Sequence, residues 1–220
     1  MNWNEETIQK IEWNGEISGL DQKLQIARKI AKRVKDGDVI GIGSGSTSFV
    51  ATKEIAKRMK EENLNIIGTP TSHQINLLCN ELGIPTANLM DKKPDWSYDG
   101  ADEVNDKNWL VKGRGGAMFR EKLNIASSEV TYILVDESKF VENICDKFPI
   151  PVEVTPQAIN YVRQKMFEMG AEGITLRLAK GKDGPVITEN GNVILDTVFR
   201  NVDENLEKDL KSIVGVIETG

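Results

Sequence analysis

The sequence predicts an α/β protein. A doubly wound, mainly parallel, Rossmann-like sheet is expected over residues 1–147, and a smaller ferredoxin-like α+β domain over 148–220. Three observations carry this. Short apolar runs alternate with amphipathic stretches through the first two thirds of the chain, the beat of parallel strands joined by helices. Near Phe148-Pro-Ile-Pro the order changes to βαββαβ, as in a ferredoxin-like unit. The length, 220 residues, suits a main domain with a smaller companion.

Each element has its own reason. Residues 1–19 are polar and end in Gly15-Glu-Ile-Ser-Gly19, which reads as a peripheral helix and turn. Asp21 is a candidate cap for a helix to about Val34, with Leu24, Ala27, Ile30, Ala31 and Val34 on one face. After the turn Lys35-Asp-Gly-Asp38, Val39–Ile42 is a short buried strand. Gly43-Ser-Gly-Ser-Thr47 then opens a helix to about Glu61. The beat repeats with a strand at 64–68, a loop Thr69-Pro-Thr-Ser72 and a helix His73–Leu82. Ile84–Leu89 is a brief extended piece, and Trp96–Asp99 a strand. Trp109–Lys112 is short and extended, Phe119–Ser127 helical, and 131–136 a strand.

In the second part, Val152–Val154 is a strand and Pro156–Met169 a helix with proline at its start. Strands are expected at Thr175–Leu178 and Val186–Thr188, joined by Lys180-Gly-Lys-Asp-Gly184. The turn Glu189-Asn-Gly-Asn192 leads into Val193–Thr197, a helix covers Leu206–Ile213, and a last strand runs on to Thr219.

Composition narrows the function. Net charge is −6 with no basic block, which argues against nucleic acid or an anionic membrane as partner. An anionic small molecule stays compatible, because a local cationic pocket can exist on an acidic protein. Cys79 and Cys145 are far apart and in no CxxC pair, so neither a zinc site nor a disulfide framework is expected. The acidic N-terminus has no apolar core of a signal peptide, and no apolar run approaches the roughly 18 residues of a membrane span. A cytoplasmic protein with reduced thiols is the expectation.

The chemistry-bearing residues crowd into one stretch. Asp99-Gly-Ala-Asp102-Glu103 and Lys112-Gly-Arg-Gly-Gly-Ala117 lead to Arg120-Glu121-Lys122. With a single histidine, His73, read as a surface residue of a first helical turn, acid–base work falls to carboxylates and lysine. Ser44, Thr71, Asp99 and Lys139 all come just after predicted strands, where open parallel sheets bind ligands. The Asp99–Glu103 loop reads either as part of that site or as a capping turn. Gly41-Ile-Gly-Ser-Gly-Ser-Thr47 reads either as an anion cradle at a helix N-terminus or as a tight turn with a Ser/Thr cap. It is neither a Walker A loop nor a GxGxxG fingerprint. Glu121, in a first helical turn, is either a general base or an acid favoured there by the helix dipole. The four tryptophans read as packing residues.

Together these motifs resemble the ribose-5-phosphate isomerase type A family. The matching residues are Gly41–Thr47, Asp99–Glu103, Lys112–Ala117 with Arg120–Lys122, Asp136-Glu-Ser-Lys139, Lys147–Val154, and Asn190–Asp196. The resemblance covers roughly Leu20 to Gly220. It implies interconversion of D-ribose 5-phosphate and D-ribulose 5-phosphate in the pentose phosphate pathway, through an enediolate, without metal or organic cofactor. It implies Glu121 as the carbon base, with Asp99, Asp102 and Lys112 handling hydroxyl protons and the oxyanion. It implies Lys23, Ser46, Thr47 and Lys139 as phosphate ligands with Ser44 nearby. Gly45, Gly100, Ala101, Gly113, Arg114 and Gly115 complete the expected substrate site. It also implies a homodimer or homotetramer. Three departures accompany it: Arg114 stands where the family usually has glycine, residues 1–19 extend beyond the usual start, and the usual C-terminal returning strand is absent from the sequence.

Two other readings compete. A non-catalytic sugar-phosphate sensor would keep the Ser44–Thr47 loop but need neither the carboxylates nor Lys112. A dinucleotide-dependent dehydrogenase rests only on a glycine-rich turn whose spacing fails.

Overall fold

The computed structural model describes residues 10–220. They fall into two compact units, one made of the described residues through Gly100 with Glu121–Asp136, the other of Ala101–Arg120 with Glu137–Gly220.

The first unit holds a four-stranded parallel sheet, ordered β2-β1-β3-β6. Its strands are β1 (Val39–Ile42), β2 (Ile67–Pro70), β3 (Trp96–Asp99) and β6 (Thr131–Ile133). The register pairs Ile40 with Gly68 and Trp96, and Ser97 with Thr131. The helices are α1 (Leu20–Ala31), α2 (Gly45–Glu61), α3 (His73–Leu82) and α4 (Met118–Ser127), the last entering this unit at Glu121. The core is Ile40, Ile42, Phe49, Ile55, Leu78 and Tyr98, all nearly inaccessible. Trp13 packs edge-on against Phe49, and Trp96 donates its indole N–H to Asp38 at 2.9 Å. Trp3 lies outside the described residues.

Three short pieces differ from the sequence expectation. Strand β2 is shifted along the chain, so that Thr69 and Pro70, expected in a loop, belong to it and residues 64–66 do not. The α1 N-cap is Gly19, in a left-handed conformation at φ 61°, and Asp21 sits in the first turn instead. A glycine accepts that backbone without strain. No helix forms within residues 10–19, and the part of that expectation covering residues 1–9 lies outside the described residues. Ile84–Leu89 makes only one bridge, Thr86 to Gly68.

The second unit contains an antiparallel sheet of order β10-β7-β9-β8, the ferredoxin-like arrangement. The strands are β7 (Ile150–Val154), β8 (Ala171–Leu176), β9 (Val193–Phe199) and β10 (Val216–Thr219), with α5 (Ile159–Glu168) and α6 (Leu206–Ser212). Its core is Val152, Val154, Val162, Met166, Leu195 and Leu210. The strand expected at Val186–Thr188 is not one; the second strand is β8, which starts at Ala171, directly after Gly170 at φ 93°. A separate two-stranded ladder, β4 (Glu103–Val104) and β5 (Leu110–Val111), belongs to the same unit and packs Val111 into this core.

Candidate active site

In the first unit, the chain leaves β1 for β2 on one side and later places β3 on the other. The sheet therefore has its topological switch point between β1 and β3, where open α/β sheets bind ligands. Two sequence-predicted loops meet there. Gly43 comes directly after β1 and donates its N–H to the Tyr98 carbonyl at 2.9 Å. A Cβ on Gly43 would lie 2.2 Å from Cγ and Oδ1 of Asp99, so only glycine lets the two loops approach this closely. A Cβ on Gly100 would lie 4.0 Å from the Thr47 Cβ.

Asp99 is the last residue of β3 and is 2% exposed. Its Oδ1 accepts the Gly100 N–H at 2.7 Å and the Ser48 hydroxyl at 3.4 Å, and its carbonyl accepts the Leu134 N–H at 2.7 Å. Helix α2 starts beside it. Its N-cap, Ser44, makes no side-chain cap bond, because the Ser44 hydroxyl pairs with Thr71 Oγ1 at 2.8 Å. No acidic residue occupies the first turn of α2. The positive end of a 17-residue helix thus faces the switch point with no carboxylate on its own first turn. Ser44 thus occupies the N-cap position of the capped-turn reading, but without the side-chain cap bond.

Glu121 is 5% exposed, in the first turn of α4. One turn on, Asn124 fixes this helix to the end of β2: its amide donates to the Thr69 carbonyl at 2.7 Å, and its carbonyl oxygen accepts the Thr69 hydroxyl at 3.1 Å. Thr71, two residues beyond Thr69, holds Ser44. Ser44, Asp99 and Glu121 are therefore tied to adjacent strand ends of one sheet. Lys23, on α1, is buried: its ammonium donates to the Ser18 carbonyl at 2.5 Å and sits 3.5 Å from Asp136.

In the second unit, the β4–β5 register pairs Glu103 with Val111, so its extension sets Asp102 opposite Lys112. Asp102 Oδ2 accepts the Arg114 N–H at 3.2 Å. The Lys112 N–H donates to the Gly220 carbonyl at 2.7 Å. The loop needs glycine at two points, Gly113 at φ 91° and Gly116 at φ 83°, whereas Gly115 is exposed and unconstrained. Ala101 is half-buried between Gly100 and Asp102. Arg114 is exposed, its guanidinium 5.8 Å from the Phe148 ring, and the Lys139 ammonium lies 5.5 Å from the same ring.

Four residues were given no structural role from the sequence, although Glu103 and Lys147 lie inside quoted motifs. Asn124 anchors α4. Glu103, completely buried, accepts backbone N–H groups from Cys145 at 2.7 Å, Lys147 at 2.5 Å and Phe148 at 2.7 Å. Lys147 then donates to the Ser138 and Phe140 carbonyls, at 2.8 and 3.0 Å, bracketing Lys139. Arg177 grips the loop after Lys112. Each pairing spans many residues and leaves no local sequence signal, apart from the Lys147 contacts. Among the described residues no three His, Cys, Asp or Glu side chains gather as a metal ion would need, and no helix is long and apolar enough to cross a membrane. Burial pushes the Cys79 thiol up to about 12 and raises the Tyr98 phenol well above its ordinary range.

Comparison with known proteins agrees with this architecture. The chain is 44% identical over 207 residues to ribose-5-phosphate isomerase A of Methanocaldococcus jannaschii, covering 93% of this chain and 91% of that one. It is 41% identical to the protein of that name from Methanothermobacter thermautotrophicus, over 91% of this chain and 89% of the other. The solved M. jannaschii structure superposes with a TM-score of 0.89 at 43% identity, over 92% of this chain and 91% of that one. A D-ribose-5-phosphate isomerase solved in complex with phospho-erythronic acid also gives 0.89, at 39% identity over 93% and 90% of the two chains. A family model for ribose 5-phosphate isomerase A (phosphoriboisomerase A) matches residues 67–220. The chain therefore belongs to the ribose 5-phosphate isomerase A family.

Proposed function

We propose that this chain interconverts D-ribose 5-phosphate and D-ribulose 5-phosphate by proton transfer through an enediolate, the activity its relatives' names carry. The observation that supports it best is Glu121, a nearly inaccessible carboxylate on a helix start anchored by Asn124 to the strand end whose Thr71 holds the phosphate-loop Ser44. Glu121 removes the proton from C2 of the open-chain aldose and returns it to C1. Asp99 and Asp102 move hydroxyl protons during ring opening and between O1 and O2. Lys112 stabilises the negative oxygen of the enediolate, the larger share of the barrier reduction for so weak a carbon acid. The phosphate binds the N-terminal end of α2 at Ser46 and Thr47, with Lys23 and Lys139, and supplies binding energy remote from the reacting carbons.

A phosphorylated four-carbon sugar acid has a planar carboxylate where an enediolate carries its two oxygens. The relative solved with phospho-erythronic acid therefore fits the same chemistry. The lysines at 112 and 139 provide local positive charge that a protein of net charge −6 needs for an anionic substrate, whereas the charge of Lys23 is balanced by Asp136 at 3.5 Å. A cytoplasmic homodimer or homotetramer is the assembly and location this reading carries, and sedimentation of the purified chain reads the first.

The test is conversion of ribose 5-phosphate by the purified chain, followed as ketose formation. Glu121→Gln should lower kcat by about 10²–10⁴-fold, the usual contribution of a positioned base, with KM changed little. Wild-type turnover in that variant would remove Glu121 from its role.

A further inference from the structure

Arg177 lies directly after β8, remote in sequence from every residue assigned to the reaction. Its backbone is pinned on both sides: the N–H donates to the Ile194 carbonyl and the carbonyl accepts the Val186 N–H, each at 2.9 Å. Its guanidinium spends one edge on Asp196 of β9, with Nε donating to Oδ2 at 2.8 Å and Nη2 donating to Oδ1. The remaining nitrogen, Nη1, donates to two successive backbone carbonyls, Gly113 at 3.0 Å and Arg114 at 2.7 Å. The pair is only 16% and 19% exposed.

The two carbonyls decide what this grip does. In a trans peptide the C=O and the N–H point in opposite directions within one plane. The carbonyl of Gly113 and the N–H of Arg114 belong to the same peptide. One side of that plane is held by Arg177, and the other donates to Asp102 Oδ2 at 3.2 Å. Lys112 has its own backbone anchor in the Gly220 carbonyl. The group whose orientation depends on the plane is therefore the Asp102 carboxylate.

We infer that Arg177, oriented by Asp196, is a positioning residue for Asp102, acting through the Gly113–Arg114 peptide. This rests on the reading that Asp102 handles protons of the sugar. Lysine cannot replace the guanidinium, because one ammonium cannot grip a carboxylate edge-on and span two carbonyls in fixed directions. The exposed Arg114 side chain plays no part, since only its backbone is used.

The experiment is a double-mutant cycle on the whole chain, crossing Arg177→Met with Asp102→Ala and measuring kcat, KM and thermal stability. Arg177→Met should lower kcat by about 10- to 100-fold, the scale of a small misplacement of a catalytic group, with KM within about threefold of wild type. In the Asp102→Ala background the same substitution should cost less than about threefold, since the group it positions is gone. Arg177→Lys should recover little of the loss. Because a lone buried Asp196 could compromise folding, the pair Arg177→Met/Asp196→Leu is measured alongside and should show the same kcat loss in a folded protein. Equal losses in both backgrounds, or wild-type kcat in the folded pair variant, would overturn the positioning role. Wild-type turnover in Asp102→Ala alone would instead overturn the assignment of Asp102, and the clamp with it.

Discussion

Glu103 offers the sharpest test of how the second unit is held together. Its carboxylate is fully buried and accepts three backbone N–H groups, from Cys145, Lys147 and Phe148. Hydrogen bonds to a charged group contribute about 1.5–3 kcal/mol each, which sets an upper range of roughly 4.5–9 kcal/mol for three. The donors are not fully buried, and Lys147 is exposed, so water can reach part of the gap left by truncation. Glu103→Ala should therefore destabilise by about 3–5 kcal/mol, a large share of a typical total of 5–15 kcal/mol. Glu103→Gln retains one oxygen but turns an N–H₂ toward at least one donor, and should cost about 2 kcal/mol. Cys145 adds a second sign. Its φ of 77° is strained for a non-glycine residue and is held in place partly by the bond to Glu103. Urea unfolding read by circular dichroism gives the values, with an unchanged m-value as the control. Since Lys147 brackets Lys139, KM for ribose 5-phosphate should also rise more than kcat falls. A Glu103→Ala protein within about 1 kcal/mol of wild type, or one indistinguishable from Glu103→Gln, would refute the three-acceptor account.

Close approach and burial give two further outcomes. Gly43→Ala places a methyl 2.2 Å from the Asp99 carboxyl, so the two loops must separate; kcat should fall at least about tenfold and stability by about 1–3 kcal/mol, read by steady-state kinetics and thermal melts. The Cys79 thiol, pushed from 9.0 to about 12, keeps its proton in the folded protein while the unfolded chain loses it. Stability should therefore decline as pH rises from 9 toward 12, by up to about 1.4 kcal/mol per unit from this group, and a thiol reagent at pH 8 should leave Cys79 unlabelled until urea unfolds the protein.

Much of the parallel sheet was legible because its apolar runs are followed closely by residues with visible chemistry. Ile42 before the glycine loop, Asp99, and the Thr131 run are marked both by apolar pattern and by the residue types just C-terminal to them. Helix α3 begins at His73 because Ser72 caps it, accepting the Ile75 N–H. The errors have physical causes. Asp21 looked like a cap, but the turn before α1 is left-handed and fell to Gly19. Val186–Thr188 looked like a strand from its apolar residues, yet only Pro185 bridges, to Leu178, while the sheet is continued by β8. Glu103 read as one of two acids in a loop, and its true partners lie 42–45 residues away. Asn124 and Arg177 sat outside every motif, because what they hold is backbone, and backbone leaves no trace in residue type.

The first unit is not continuous along the chain. Its fourth strand, β6, comes after the twenty residues Ala101–Arg120, which fold with the other unit. During synthesis, β3 therefore emerges with one side unpaired and stays an open edge until residue 133 has left the ribosome. The exposed run is Trp96-Ser-Tyr-Asp99, every residue of which is buried in the finished sheet. An unpaired strand edge is a template for the wrong neighbour. The vulnerable moment in this protein's life is thus the interval between the emergence of Asp99 and that of Ile133 from the ribosome. A nascent chain stalled there would be the species that needs a chaperone.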